Sequence, residues 1–328
     1  LSNKSLVTKA AAFLGFSGLA TIMAAYGHAR HYVLRERTIT LRGDDLSLRI
    51  LHLSDFHALA RNKKLLSFVE SLRSTKPDLL VFTGDFVAEE AGIDAILNAL
   101  ESLRGIPGFF VFGSNDYYRP VFRNPFTYLL RNSNERTPMS KKDKELLRLP
   151  TDHLAAGLRK LGFIDLSNTR TCLTTNGVHI EAVGVDDPHI HRDQYPARTL
   201  SSETTLPSTV CDTKQTLNLG VTHAPYKRVL ERMSDDGCDL VLAGHTHGGQ
   251  VCLPGHRALV TNCDLPPELV SGLFEWPPTG SMPIKADGEL IIDRGTAIQI
   301  SAGLGTTPFV PLRTWCAPEA VLIKVERH

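Results

Sequence analysis

The sequence predicts an α/β fold on three observations: strands and helices alternate through the first half, short strands dominate the second, and Asp or His follows one strand after another. Residues 48–54, LRILHLS, form an apolar run of strand length. Residues 63–74 place Leu65, Leu66, Val69 and Leu72 on one helical face. A second strand follows at 78–84, a second helix at 93–103 and a third strand at 108–114. This β-α-β-α-β run implies a parallel sheet with right-handed crossovers, and ligand sites in such sheets lie at the carboxyl ends of the strands. Short strands are then expected at 179–185, 216–222, 239–243, 297–301 and 320–325, with a helix at 226–234. Two irregular insertions interrupt the pattern: 119–149 mixes aromatic residues with Arg and Lys, and 263–294 is rich in Pro, Gly and acidic residues.

Composition narrows the function classes. The 328 residues suit one large domain or two modest ones. Lys and Arg total 36 against 35 Asp and Glu, so bulk charge recruits neither nucleic acid nor a membrane. The six Cys form no CxxC pair, which argues against zinc-ribbon and thioredoxin chemistry and makes them small apolar residues first. Residues 10–26 carry no charge; Lys4 and Lys9 precede them, and Arg30, Arg35 and Arg37 follow. That run is slightly short of the roughly 20 residues that span a bilayer. It reads as a membrane anchor, an export signal or a helix packed on the domain. No twin-Arg pair precedes it, and the denser basic residues behind it favour membrane association with the folded domain on the cytoplasmic side. The chain divides at this level into a membrane-associating or signal-like segment, 1–45, and a folded domain, 46–328.

The chemistry lies at the strand ends. Asp55 and His57 follow the first strand, Asp85 the second, and Ser114, Asn115 and Asp116 the third; His223 and the pair His245 and His247 follow later ones. One strand-end Asp is most often a cap or turn former. Five strands delivering oxygen and imidazole to the same end of a sheet point to a metal site. Residues two apart in an extended segment point the same way, so Asp55 and His57 can reach one point, as can His245 and His247. Gly84 and Gly244 directly precede ligand candidates, where a chain turning close to a metal leaves no room for Cβ. Carboxylate with imidazole suits Mn, Fe or Zn.

These motifs resemble the calcineurin-like metallophosphoesterase superfamily, whose pattern of D-x-H, G-D, G-N-H-[DE], H and G-H-x-H stands here as Asp55-Phe56-His57, Gly84-Asp85, Gly113-Ser114-Asn115-Asp116, His223 and Gly244-His245-Thr246-His247. The segment 244–250 and the closing segment 301–319 are similar to a bacterial membrane-associated branch that includes enzymes cleaving the pyrophosphate of UDP-diacylglucosamine. The resemblance covers about residues 48–326. It implies a β-sandwich flanked by helices and two divalent metal ions. It assigns Asp55, His57 and His247 to one ion, His223 and His245 to the other, and Asp85 to both, with a metal-bound hydroxide attacking phosphorus.

The third motif departs from the family. Aligned without a gap, Ser114 replaces the metal-binding Asn and Asn115 replaces the His; shifted by one residue, Asn115 remains the ligand. An amide oxygen binds such a metal better than a neutral hydroxyl, which favours Asn115. Either way the His that would serve the leaving group is gone, leaving His189, His191 or Asp116 as alternative acids. His52 reads as a core residue, and Asp186 and Asp187 as turn formers. The insertion 119–149 starts at the rim of the site. Its aromatics and Arg either hold an apolar and a phosphate group of a substrate, or pack Phe122, Phe126, Leu129 and Leu130 on the core. The implied function is hydrolysis of phosphate esters or pyrophosphates, on a phosphorylated small-molecule or lipid-linked substrate. The competing reading is a catalytically impaired metal-binding scaffold at the membrane. A nuclease lacks the broad basic surface it needs.

Overall fold

The computed structural model describes residues 18–43, 45–121, 145–197 and 215–327. The segment 10–17, the stripe Phe122, Phe126, Leu129 and Leu130, the Lys-rich run 141–144 and Cys211 lie outside the described residues.

The core consists of two sheets packed face to face. The first comprises β1 (Val33–Leu41), β2 (Leu46–Leu53), β3 (Leu79–Thr83), β4 (Gly108–Val111), β5 (Phe163–Asp165), β13 (Gly288–Ile292) and β15 (Glu319–Arg327), in the order β13-β1-β15-β2-β3-β4-β5. The second comprises β6 (Thr169–Thr175), β7 (Val178–Gly184), β8 (Thr216–Val221), β9 (Leu240–Ala243), β12 (Gly272–Trp276) and β14 (Thr296–Ile300), in the order β12-β14-β9-β8-β7-β6. A small hairpin, β10 (Cys252–Leu253) with β11 (Arg257–Ala258), stands apart from both. Helices α1 (Lys63–Ser71), α2 (Ala91–Leu100) and α4 (Thr151–Lys160) contribute buried residues to the cluster on one side of the first sheet, and α5 (Lys227–Asp235) contributes to the cluster on the far side of the second. The short α3 (Ser114–Tyr117) follows β4 directly.

The period of two along each strand divides the core. In β3, Leu80 and Phe82 join the cluster under the helices, whereas Leu79 and Val81 face the second sheet. There they share one buried cluster with Ile180, Leu219, Val221 and Leu242. A strand covered on both faces needs no polar side, and β3, β4, β9 and β14 are buried at every residue.

The strands of the β-α-β-α-β run are parallel as expected, from β2 through β5, and the whole sheet is mixed because β15 returns antiparallel to β2. The sheet also begins at Val33, ahead of the boundary drawn at residue 46: β1 pairs with β15 along its whole length, so its polar-looking stretch belongs to the fold. The segment 263–294 is not simply an insertion, for it supplies an edge strand to each sheet, β12 and β13. β13 is largely exposed, so its Gly and acidic residues mask the strand pattern, whereas β12 is buried at all but Glu275. Residues 18–28 are helical, and no helix among the described residues is long and apolar enough to cross a membrane.

Candidate metal centre

The carboxyl ends of β2, β3 and β4 meet those of β8 and β9 at one edge of the sandwich, and the turns beyond them deliver the side chains named above. Asp55, His57, Asp85 and His247 offer ligand atoms that all lie within 4.8 Å of one another. The Asp85 carboxylate is central. One oxygen lies 3.4 Å from His57 Nε2 and the other 3.6 Å from His223 Nε2. His247 Nε2 lies 3.6 Å from Asp55. His245 presents Nδ1 to His223 Nε2 at 3.2 Å.

The alternation expected for D-x-H and H-x-H does not describe these turns. Asp55, His57, Asp85, His245 and His247 are not extended; each has a positive φ, between 42 and 69°. This left-handed conformation is costly for a residue with Cβ. The close neighbours of the turns explain the glycines between them. A Cβ on Gly84 would come within 2.5 Å of the Gly113 amide nitrogen, and one on Gly244 would run into Ser54 and Asp55.

Ring orientation is set from behind. His223 Nδ1 meets the Thr83 carbonyl at 2.6 Å, His245 Nε2 the Asn262 carbonyl at 3.1 Å, and His247 Nδ1 the Gly305 carbonyl at 3.3 Å. An N–H donated to a carbonyl leaves the other ring nitrogen with its lone pair facing inward. His57 Nε2 and His247 Nε2 then confront each other at 3.0 Å. A shared proton is a poor solution, because burial and the neighbouring His57 hold the His247 imidazole well below its ordinary pKa. Burial alone would raise Asp85, but His223 and His57 beside it, with two hydrogen bonds from Asn115, hold its carboxyl well below the usual range. His223 is in turn raised to about 9, with burial opposed by Asp85, Asp187 and Asp55. Converging lone pairs around a buried carboxylate are the donor set of a cation site, and these residues fit a divalent metal.

The third motif divides. Asn115 donates through its backbone N–H and its side-chain amide to the two Asp85 oxygens, at 2.8 and 2.6 Å. Ser114 lines the same cavity. Asp116 is removed from the chemistry: its carboxylate is fully buried and accepts the backbone N–H groups of Asp85, Phe86 and Gly113 at 2.7–2.9 Å. It is a brace between two ligand turns and not a proton donor. Burial and the nearby Asp85 push it upward, against those N–H groups. His191 lies outside the cavity lining, whereas His189 is in it, with Nδ1 3.0 Å from the Tyr226 hydroxyl and its ring 4.3 Å from that of His245. Asp187 accepts the His189 N–H as a turn former does, and Asp186 binds Tyr117 and Arg192. His52 is a core residue on the Thr83 hydroxyl.

Arg313, in the closing segment 301–319, braces the site from behind. Its guanidinium is fully buried and donates to the carbonyls of Ala302, Gly303, Gly305 and His247. It thereby gathers the turn after β14 around a ligand. Its partners are backbone oxygens from two turns, which no residue spacing reveals.

A profile of the calcineurin-like phosphoesterases matches residues 48–249. The uncharacterized protein YpbG of Bacillus subtilis is 27% identical over 97% of each chain. The UDP-2,3-diacylglucosamine pyrophosphatase LpxG of Chlamydia trachomatis is 26% identical, over 70% of this chain and 74% of its own. The phosphodiesterase YaeI of Escherichia coli is 26% identical over 68% of each. Among solved structures, the NAD nucleotidase of Haemophilus influenzae aligns with a TM-score of 0.43 at 11% identity, over 87% of this chain and 50% of that one.

Proposed function

Because the chain belongs to the calcineurin-like phosphoesterase family, we propose that it is a two-metal hydrolase of phosphodiesters or pyrophosphates whose leaving group departs without a proton. Metallophosphoesterase chemistry is the family's own, and the buried Asp and His cluster for it is intact. The observation that carries the finer reading is the pairing of ring nitrogens on either side of Asp85, His57 with His247 at 3.0 Å and His223 with His245 at 3.2 Å. Two pairs sharing one carboxylate support two ions rather than one. Asp55, His57 and His247 would hold the first, His223, His245 and the Asn115 amide oxygen the second, with Asp85 between them. Manganese, iron or zinc suits these donors. Such ions supply Lewis acidity toward the phosphoryl oxygens and a water of lowered pKa.

The remaining work belongs to the chain. Thr83, Asn262 and Gly305 fix the ring orientations through their carbonyls. Asn115 fixes Asp85. With Asn115 in the ligand role and Asp116 on backbone N–H groups, this motif has no side chain to protonate a leaving group at neutral pH. A phosphate or aryl oxide leaves readily as an anion, whereas an alkoxide does not. The similarity to LpxG, a pyrophosphatase, and YaeI, a phosphodiesterase, supports that substrate class. Membrane association through the N-terminal segment, with the catalytic domain on the cytoplasmic side, is part of the same proposal.

Metal content after gentle purification tests the reading, with turnover of an aryl phosphodiester measured on the same sample. Two equivalents per chain are expected. Asp85→Asn should lose turnover and at least one equivalent. A single equivalent in fully active protein would sink the two-metal reading.

A further inference from the structure

We propose that Cys252 and Cys316 form a redox modification site, a dithiol that a hydroperoxide closes to a disulfide directly behind the candidate metal ligand His247. The chemistry of the two sulfurs stands on their own geometry. Only its effect on metal and turnover rests on the phosphoesterase reading.

Two segments that meet behind the site build the pair. Cys252 opens the β10–β11 hairpin, and Cys316 follows Arg313 in the closing segment. Thr314 stitches these segments together. The Cys252 backbone N–H donates to its carbonyl at 3.1 Å and to its hydroxyl at 3.0 Å, and that hydroxyl donates to the Cys252 carbonyl at 2.8 Å. The two thiols are thereby held against each other and share a hydrogen bond. Each also reaches the turn that carries His247. Cys316 Sγ lies 3.5 Å from the His247 carbonyl, and Cys252 Sγ lies 3.1 Å from the Gly248 carbonyl. A Cβ on Gly248 would strike Cys316 Sγ, so the sulfur sits directly on that turn. Arg313 spans the same contact, with Nη1 3.3 Å from the His247 carbonyl and 3.8 Å from Cys316 Sγ.

A thiol touching a second thiol differs chemically from a lone one, because its first oxidation product is captured at once. A hydroperoxide gives one oxygen to either sulfur. The O–O bond breaks, the thiol becomes a sulfenic acid, and the rest of the peroxide leaves as an alcohol or water. The neighbouring thiol then attacks that sulfur, the S–S bond forms and water leaves. Two electrons pass from the sulfurs to the peroxide, and both thiol protons end in the departing molecules. Cys252 is 4% and Cys316 6% exposed, but their neighbours Val251, Leu253 and Trp315 all stand in solvent. The pair thus lies one residue beneath the surface, under a hairpin whose two-residue strands pair only with each other. Local opening of so short an element admits an uncharged molecule little larger than water. Closure removes both S–H donors from the His247 turn and draws the sulfurs to about 2.05 Å. The expected consequence is weaker retention of the ion that His247 would hold. Where disulfides are kept reduced, thiol exchange reopens the bond, which makes the pair a sensor rather than a staple.

Hydrogen peroxide on the full, metal-loaded chain provides the test. Non-reducing tryptic mass spectrometry should find the peptides of Cys252 and Cys316 linked, and dithiothreitol should separate them. Metal affinity and turnover of an aryl phosphodiester should fall together with linkage, by about tenfold, the effect of losing two modest hydrogen bonds. Both should return with the reductant. The double variant Cys252→Ala, Cys316→Ala should hold its own starting metal and turnover through the same treatment. An equal loss in that variant would overturn the proposal, since the peroxide would then be acting on the ions. So would oxidation confined to the exposed Cys172, sulfinic acid at Cys252 or Cys316 in place of the link, or a link that leaves metal affinity unchanged. If the double variant does not fold, the linked peptides and their reversal in the wild-type chain still decide the case. Untreated protein without metal or turnover would instead strike the phosphoesterase reading, and the linked peptides would still report on the dithiol.

Discussion

At the scale of single residues, the proposed lack of a proton donor for the leaving group has a kinetic signature. A general acid contributes about 100- to 10,000-fold, mostly when the leaving group is basic. Rates across aryl phosphodiesters of graded leaving-group pKa are therefore expected to fall steeply as that pKa rises. A shallow dependence, with chemistry shown to be rate-limiting, would mean that an acid is present, and His189→Gln would be the first variant to try. A second residue reports on stability. Burial holds His52 neutral, with its pKa lowered to about 3 from an ordinary 6.5. Below the ordinary value the unfolded chain binds a proton that the folded one refuses. The contribution is thus complete above pH 6.5 and lost as pH falls toward 3, at about 1.4 kcal/mol per unit. The pH dependence of urea unfolding should flatten by that amount in His52→Gln relative to the wild type. Parallel profiles would show that His52 is protonated in the fold.

At the scale of elements, the site is a set of turns held by strands. Gly84 combines a φ of +85° with backbone atoms of Gly113 in the place of a Cβ. Gly84→Ala should cost about 2–4 kcal/mol, the left-handed penalty plus overpacking, and should lower metal content with it. Gly162, at φ +98° with open space around it, carries only the first of these costs, so Gly162→Ala in chemical denaturation isolates the clash. Equal losses at the two positions would remove the close approach from the account. The same division explains what was legible in the sequence. The strands β2, β3, β4, β8 and β9 are buried runs, and the residues after them are the candidate ligands. The edge strand β13 was hidden because most of its residues are exposed, and β12 because it is only five residues long and sits among Pro and Gly. The left-handed ligand turns were hidden because spacing of two is compatible with either conformation. The roles of Arg313 and Asp116 were hidden because both act on backbone groups, which carry no sequence identity.

At the scale of the whole molecule, the metal cluster is the seam of the sandwich. Asp55, His57 and Asp85 come from turns of the first sheet, and His223, His245 and His247 from turns of the second. Bound ions therefore tie the two sheets together at the edge where both are cut open. Chelation should lower the stability of both sheets as one unit, by about 4 kcal/mol if the metal stood near a thousandfold over its Kd. Calorimetry with and without chelator should show one transition moved as a whole. A split transition would mean that the sheets melt separately and that the ions bridge little.

The positive φ of Asp55, His57, Asp85, His245 and His247 bears on how this centre can be interrogated. Asparagine adopts that conformation more readily than other residues with a Cβ, whereas alanine resists it. An alanine scan of the ligands would therefore report two losses at once, the missing donor and a backbone that no longer wishes to make the turn. Asp55→Asn and Asp85→Asn keep the turn and remove the charge, and His→Asn shortens the donor while keeping the turn. The informative alphabet for this site is asparagine rather than alanine, and the difference between the two scans measures the tension stored in the loops.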